Sequence, residues 1–267
     1  MNISIPQLHI SIVSFNTPID DMQNIISCIK KSKNISILTT IVDNAQDKNI
    51  KSLAKNANIN YIDNMKNVGY GSAHNKAIRI SIDKNIPYHL VVNADVSFGM
   101  NVLRSIYDYM ESHTSVGLVL PRVFYPHGNE QFLAKFLPSP ISLVLGRIFK
   151  SSSIIINPTP IKPTNIPLLS GCFMFMRTNS LKDVGLFDER FFLYFEDFDL
   201  SRRIHEKYET IFLPNASIQH RWGNASKKIS RALLLHLQSA FQYFNKWGWF
   251  ETRRKKINEK CRKDLQN

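Results

Sequence analysis

The first 120 residues alternate short apolar runs with amphipathic stretches, and this alternation constrains the fold more than any other feature of the chain. Runs at 9–15 (HISIVSF), 37–42 (ILTTIV), 58–62, 88–93 (YHLVVN) and 116–120 read as strands. Helical patterns lie between them at 18–31, 47–56, 69–83 and 101–112. Pro18 falls early in the first helix, where its missing N–H costs nothing. Strands that alternate with helices predict an α/β fold with a parallel sheet covered on both faces. In such sheets ligands bind beyond the C-terminal ends of the strands. Three polar clusters fall there: Ser14-Phe15-Asn16, Asp43-Asn44 and Asn93-Ala94-Asp95.

The order changes after residue 120. The stretch 121–168 is proline-rich, has three consecutive serines at 151–153, and offers one short helical candidate at 140–149. It reads as a long, partly mobile excursion on the sheet and not as a separate domain. Beyond it come a strand at 169–176, a short helix at 179–184, a helix within 191–208, and strands at 210–213 and 217–220. Leu233, Leu237, Ala240, Phe241, Phe244 and Trp247 recur at helical spacing within an amphipathic stretch over 229–249. The remaining tail, 251–267, carries seven Lys or Arg against three acids.

Composition narrows the function classes. The chain has 267 residues and a net charge of +13, which invites nucleic acid, an anionic membrane surface or a phosphorylated substrate as partner. A Lys-, Asn- and Ile-rich genome would supply part of the lysine excess. Cys28, Cys172 and Cys261 form no metal-binding spacing, which fits a reducing compartment. The first ten residues lack the pattern of a signal peptide. No apolar run approaches the roughly 18–20 residues that span a bilayer. The expected location is a reducing compartment such as the cytoplasm, with the protein soluble or lying on a membrane surface without crossing it.

Four motifs carry chemistry. Asn67, Gly69, Tyr70, Gly71 and Asn75 lie at a helix entry that frees backbone N–H groups for a phosphate or sugar. An ordinary turn and cap explains the glycines equally well. Asp95, at a strand end, suits a divalent cation facing a diphosphate, although one Asp in a turn is usually just a turn residue. Glu196, Asp197 and Asp199 crowd beside Phe191, Phe192, Tyr194 and Phe195. Acids at a helix start are favoured by the macrodipole. The aromatic crowding goes further, because it desolvates a carboxylate and raises its basicity toward that of a general base. On a helix Glu196 and Asp199 share a face and Asp197 points about 100° away, so one acid would face a cleft while another bonds Arg202 or Arg203. His220 is a candidate metal ligand, and Gly223, Ser226, Lys227 and Lys228 would line a phosphate site.

Taken in order, these segments resemble the inverting GT-A glycosyltransferases of family 2, and within them the bacterial rhamnosyltransferase-like branch. The carrying residues are ISIVSFN (10–16), IVDNAQD (41–47), NVGYGSAHN (67–75), VVNADV (91–96), the long segment LSGCFMFMRTNSLKDVGLFDERFFLYFEDFDLSRRI (169–204) and HRWGNAS (220–226). The resemblance implies a GT-A (nucleotide-diphospho-sugar transferase) fold, Rossmann-like and mostly parallel, with C-terminal amphipathic helices. It implies a catalytic domain over 1–228, made of a nucleotide-sugar half (1–120), a variable insertion (121–168) and an acceptor half (169–228). A C-terminal helix and basic tail would follow over 229–267. Ser14, Asn16 and Asp43 would hold base and ribose. Asn67, Gly69, Tyr70, Gly71, Asn75 and Asn93 would meet the rest of the donor. Asp95 and His220 would hold Mg²⁺ or Mn²⁺, with Asn93 replacing the first Asp of the family's DxD motif and weakening metal dependence. Asp197 would be the base, with Gly171, Cys172, Glu196 and Lys227 near the acceptor.

The implied reaction moves a sugar from a nucleotide donor to a glycan or lipid-linked acceptor in cell-surface polysaccharide synthesis. dTDP-L-rhamnose is the first donor expected, with a UDP-hexose or UDP-galactofuranose as alternative. A nucleotidyltransferase would carry a Gly-rich phosphate loop after the first strand, and Ser14-Phe15-Asn16-Thr17-Pro18 is not one. A nucleic-acid-binding protein would explain the charge, but the basic residues are scattered except at the tail. A non-catalytic sugar-binding protein would not need Asp95, Asp197 and His220 together. The C-terminal region has two readings: a contact with an anionic membrane surface, or a helix packed on the catalytic domain with a solvated tail.

Overall fold

The computed structural model describes residues 5–143, 153–221 and 231–266. Its first half follows the alternation closely. β1 (Leu8–Ser14), α1 (Ile19–Lys31), β2 (Ile37–Asp43), α2 (Lys48–Ala57), β3 (Asn60–Asp63), α3 (Tyr70–Asp83) and β4 (Tyr88–Val92) come in turn. Local chemistry sets several boundaries. The Asp47 carboxylate accepts from the Asn49 N–H at 2.8 Å and caps α2, and Asn58 ends that helix in the left-handed conformation. After β4 come β5 (Val96–Phe98), α4 (Val102–Ser112), β6 (Val116–Phe124), β7 (Ala134–Lys135), β8 (Thr164–Asn165), β9 (Leu168–Leu169), β10 (Phe173–Arg177), α5 (Thr178–Val184), α6 (Glu196–His205), β11 (Glu209–His220), α7 (Arg231–Trp247) and α8 (Thr252–Gln266).

The main sheet runs β3-β2-β1-β4-β10-β6-β11-β5, with β8 also on β11. β3, β2, β1, β4, β6 and β11 point one way, and β10, β5 and β8 run against them. The sheet is therefore mostly parallel, and its central strands are buried almost throughout. The antiparallel β10 lies between β4 and β6, so the chain passes from the first half to the second through the middle of the sheet.

Three expectations change. The strand expected over 169–176 splits into β9 and β10. The intervening Gly171 peptide turns its N–H to Asp197 and its carbonyl to Tyr70, so neither group is left for the ladder. The two short strands at 210–213 and 217–220 are one strand, β11, with its register shifted between Leu213 and Ser217. Pro214 lies in that interval and has no N–H to give the ladder. The basic tail is helical and docked. Asn258 on α8 accepts from the Leu137 N–H and donates to the Leu137 carbonyl, both at 2.9 Å, and Cys261 is buried. Most of the helix expected at 140–149 lies outside the described residues.

Beneath the sheet, three buried histidines form a ladder with hydroxyls. His9 meets Ser81 (2.7 Å) and Thr40 (2.8 Å), Ser81 meets His89 (2.7 Å), and Ser11 joins His89 (2.8 Å) to His74 (2.7 Å). Burial, with Lys84 nearby, pushes His9 down to about 4. Burial alone pushes His74 down to about 3. His89 is held well below its ordinary value by burial, with the other two histidines adding to the effect. All three are neutral at pH 7.

Candidate active site

The expected residues converge where the strand ends meet α3 and α6. Gly69 opens α3 with φ +90°, and a Cβ there would lie 2.4 Å from the Phe192 carbonyl oxygen. The position needs glycine for both its conformation and its space. The next N–H, of Tyr70, donates to that carbonyl at 3.0 Å. The Tyr70 side chain then crosses the site, its hydroxyl 2.8 Å from Asn93 Oδ1 and 2.8 Å from the Gly171 carbonyl. One phenol thus links the end of β4 to the turn before β10.

Asp95 and His220 meet at that strand end, Oδ1 to Nε2 at 3.4 Å. Gln131 Nε2 donates to the His220 carbonyl at 2.5 Å, which fixes its amide orientation. Its Oε1 therefore faces His220 Nδ1 at 3.0 Å and accepts that proton. In the neutral imidazole the Nε2 lone pair then faces the Asp95 carboxylate, an arrangement that a cation between them would satisfy. When His220 is instead protonated and donates from Nε2, its hydrogen bond and charge, with Arg221, outweigh the burial that raises the Asp95 carboxyl and hold that group below its ordinary value. Among the described residues no third His, Cys, Asp or Glu completes the set, so a cation here would take its other ligands from donor phosphates and water.

The acid-rich helix divides its carboxylates. Tyr194 and Phe195 adopt consecutive left-handed conformations, φ +70° and +66°, and turn the chain sharply into α6. Asp197 accepts from the Gly171 N–H (2.8 Å) and the Phe198 N–H (2.9 Å). A Cβ on Gly171 would lie 3.0 Å from the Asp197 Cβ, so glycine permits this approach. Burial pushes the Asp197 carboxyl up, while Lys135 and the two N–H groups pull it back. Glu196 is buried, with Oε2 unpartnered. Burial and then the Asp197 charge push it well above the carboxylate range, which makes it the neutral member of the pair. Asp199 faces the other way and is fully buried. It pairs with Arg203 (2.9 Å) and Lys246 (2.7 Å) and accepts from Trp247 Nε1 (2.9 Å), anchoring α7. The expected bond from an acid to Arg203 is this one.

Asp197, Glu196 and His220 line one cavity of about 580 Å³, together with Gln131, Lys135 and an aromatic wall. A second, apolar pocket of about 390 Å³ lies across Tyr70, between Val13, Asn67, Gly69 and Leu235 of α7. Other expected contacts are engaged within the protein. Asp43 accepts from Ala45 N (2.8 Å), Asp47 N (2.7 Å) and Tyr61 OH (2.7 Å). Asn75 is buried and spends its amide on Phe187 and Glu189 at 2.9–3.0 Å, pinning that loop to α3. Asn67 accepts from the Gly69 N–H at 3.0 Å. Gly71 is where α3 meets Phe187, whose Cβ would lie 2.8 Å from an added Cβ. Ser14 is buried with an unpartnered hydroxyl, and Asn16 is exposed with φ +52°. Cys172 is buried, its thiol pushed up to about 12 by burial, and its carbonyl holds the Asn93 N–H at 3.0 Å. Lys227 lies outside the described residues. Gln131, Lys135 and His236 were not expected. They sit in the insertion and on α7, outside every motif.

The fold defines the class first. The molecule is an α/β protein of the GT-A glycosyltransferase fold. It superposes on GalNAc-T7 solved with UDP, GalNAc and Mn²⁺ (TM-score 0.65, 13% identity, 92% of this chain and 49% of that one). It also superposes on the mannosyltransferase PcManGT from Pyrobaculum calidifontis with GDP-Man and Mn²⁺ (TM-score 0.62, 14% identity, 96% and 69%). Residues 10–185 match the model of Glycosyl transferase family 2, and the chain belongs to that family. It is 26% identical over 186 residues to an N-acetylglucosaminyl-diphospho-decaprenol L-rhamnosyltransferase of Mycobacterium tuberculosis (strain CDC 1551 / Oshkosh), covering 63% of this chain and 61% of that protein. It is 27% identical over 203 residues to the low-salt glycan biosynthesis hexosyltransferase Agl10 of Haloferax volcanii, covering 70% and 62%. The matches thus span about three-fifths of each relative's length.

Proposed function

We propose that this chain is an inverting glycosyltransferase that moves L-rhamnose from dTDP-L-rhamnose to a hydroxyl of a glycan or polyprenyl-diphosphate-linked sugar. The observation that carries the reading is the single cavity lined by both Asp197 and His220, the latter beside Asp95. The acceptor hydroxyl gives its proton to the Asp197 carboxylate as its oxygen attacks the anomeric carbon. The C–O bond to the nucleoside diphosphate breaks on the opposite face, so the configuration inverts. Asp197 suits this role because its two N–H partners fix its plane while burial raises its basicity. Asp95 and His220 would hold Mg²⁺ or Mn²⁺, which would offset the charge of the departing diphosphate. Gln131 keeps His220 in the tautomer that such binding needs.

Rhamnose rests on the mycobacterial relative, and the haloarchaeal hexosyltransferase supports a UDP-hexose or UDP-galactofuranose as the second reading. Asp197→Asn tests the base. Transfer should fall by about 10³-fold, within the range of general-base catalysis, while nucleotide binding by thermal shift persists. Substantial remaining transfer removes Asp197 from the role.

A membrane surface is the further partner in this reading. Among the described residues no helix is long and apolar enough to cross a membrane. However, α7 leaves Leu234, Leu237 and Phe241 exposed along one stripe, Phe250 follows them, and α8 is rich in Lys and Arg. That combination suits an anionic lipid surface at the cytoplasmic face of a cell membrane. Because α8 is packed against the insertion, truncating it would disturb the fold. Phe241→Ser with Phe250→Ser is the cleaner test, and unchanged liposome sedimentation counts against the contact.

A further inference from the structure

Among the described residues Lys135 has no ion-pair partner, and the Asp197 charge acts on it from beyond 4 Å. Lys135 lies on β7 and lines the cavity shared by Asp197 and His220. Its ammonium sits 5.0 Å from the centre of the Phe198 ring. Among the described residues its ammonium makes no hydrogen bond and no ion pair, although Asp199 has two cations within 4 Å. Lys135 is half-buried, and a cation partly withdrawn from water usually finds an ion-pair partner. Burial accordingly lowers the Lys135 ammonium from its ordinary value. Of the cavity carboxylates, Asp197 acts on Lys135 without closing an ion pair, and the other two contribute less. Glu130 is paired with Arg122 at 3.3 Å, and Glu196 is neutral.

The cations of the site are divided between its two ends. Arg221 acts on Asp95, and Lys135 acts on Asp197. Lys135 is thus on the side of the base, away from the carboxylate that would face the donor diphosphate. Around it, Tyr125, Phe132, Tyr194 and Phe198 present aromatic surface of the kind on which sugar rings pack.

We infer that this cavity selects an acceptor carrying an anionic group beside its sugar ring, with Lys135 pairing that group and the aromatic wall holding the ring. The inference rests on the transferase reading for placing the acceptor at Asp197. Two sources supply such an anion: a diphosphate linking the sugar to a lipid, or a carboxylate on the sugar itself.

The test measures binding of three probes to the full chain by calorimetry. They are undecyl diphospho-N-acetylglucosamine, undecyl β-glucuronide and the neutral undecyl N-acetylglucosaminide. The wild type should bind one anionic probe about tenfold or more tightly than the neutral one, as a charge-assisted hydrogen bond supplies. Whichever anionic probe is preferred identifies the source. Lys135→Gln should erase the preference while leaving the neutral probe's affinity unchanged, and Lys135→Arg should keep it. Equal affinity for all three probes, no binding by any of them, or a preference that survives in Lys135→Gln overturns the inference. Asp197→Asn separates the two ideas. If the wild type shows the preference but neither protein transfers sugar, the transferase reading fails and the anion subsite stands.

Discussion

The two ends of the site are built differently. At the strand ends, the loops are held by partners near in sequence: Asp43 by Ala45 and Asp47, Asn67 by Gly69, Asp47 by Asn49. Around Asp197 and His220 the fixing contacts are distant, except for the Phe198 N–H on Asp197. Gly171 meets Asp197 across 26 residues, Tyr70 meets Gly171 across 101, and Gln131 meets His220 across 89. A motif in the chain specifies the first kind of site. Only the finished fold specifies the second.

The sharpest way to break the comparison uses two acids two residues apart on α6. Asp197→Asn should remove about 10³-fold of transfer with little change in stability, because only its role as base is lost. Asp199→Ala should do the reverse. It removes the fully buried carboxylate shared by Arg203, Lys246 and Trp247. Among the described residues this leaves Lys246 only Asp188 and Arg203 only backbone carbonyls, and breaking a buried pair of this kind costs about 3 kcal/mol. Urea unfolding should show that loss. If instead Asp199→Ala is fully stable, the anchoring of α7 rests elsewhere.

Gln131→Met probes the distant contacts further. Losing the partner behind a metal-binding histidine typically weakens metal affinity by about 10–100-fold. Mn²⁺-dependent protection of the nucleotide complex in a melting assay should shift accordingly, with the metal-free melting temperature little changed. Equal Mn²⁺ dependence in both proteins would detach Gln131 from the site.

The histidine ladder gives a graded effect, and it reports on the core that both ends share. His9, His74 and His89 stay neutral when folded but protonate when unfolded near pH 6.5. Between those limits the unfolded chain binds more protons at these positions, so their contribution to stability is whole above pH 6.5. It declines as pH falls toward about 4 for His9 and about 3 for His74. Each histidine contributes up to about 1.4 kcal/mol per pH unit. Glu196 and Asp197, with raised values, act in the opposite sense, and the three histidines should outweigh them. Stability that is flat or rising from pH 6.5 to 5.5 would contradict the neutral ladder.

Much of this was legible in the sequence. The alternation of runs located the strands and helices of the first half except the short β5, most clearly where a run is buried throughout, as in β1 and β4. Asp197, Asp95 and His220 stood out by motif, and the structure brings Asp197 and His220 to one cavity and Asp95 to His220. The roles of Asn75 and Asp43 were not legible, since a loop-pinning amide and a ligand-binding amide look alike in sequence. Lys135 and Gln131 carry no local signature, being placed by a hairpin within the proline-rich insertion. The docking of α8 was hidden because seven basic residues in the tail masked the few that face inward: Arg254, Asn258 and Cys261.

Tyr70 has one hydroxyl proton and two oxygens that want it. Asn93 and the Gly171 carbonyl therefore compete for a single bond, and neither is served independently of the other. A change that draws the proton toward one weakens the hold on its rival. For anyone measuring this protein, the consequence is practical. Kinetic constants for the two substrates of a Tyr70 variant will move together, and titrating one substrate at a fixed level of the other will not isolate either.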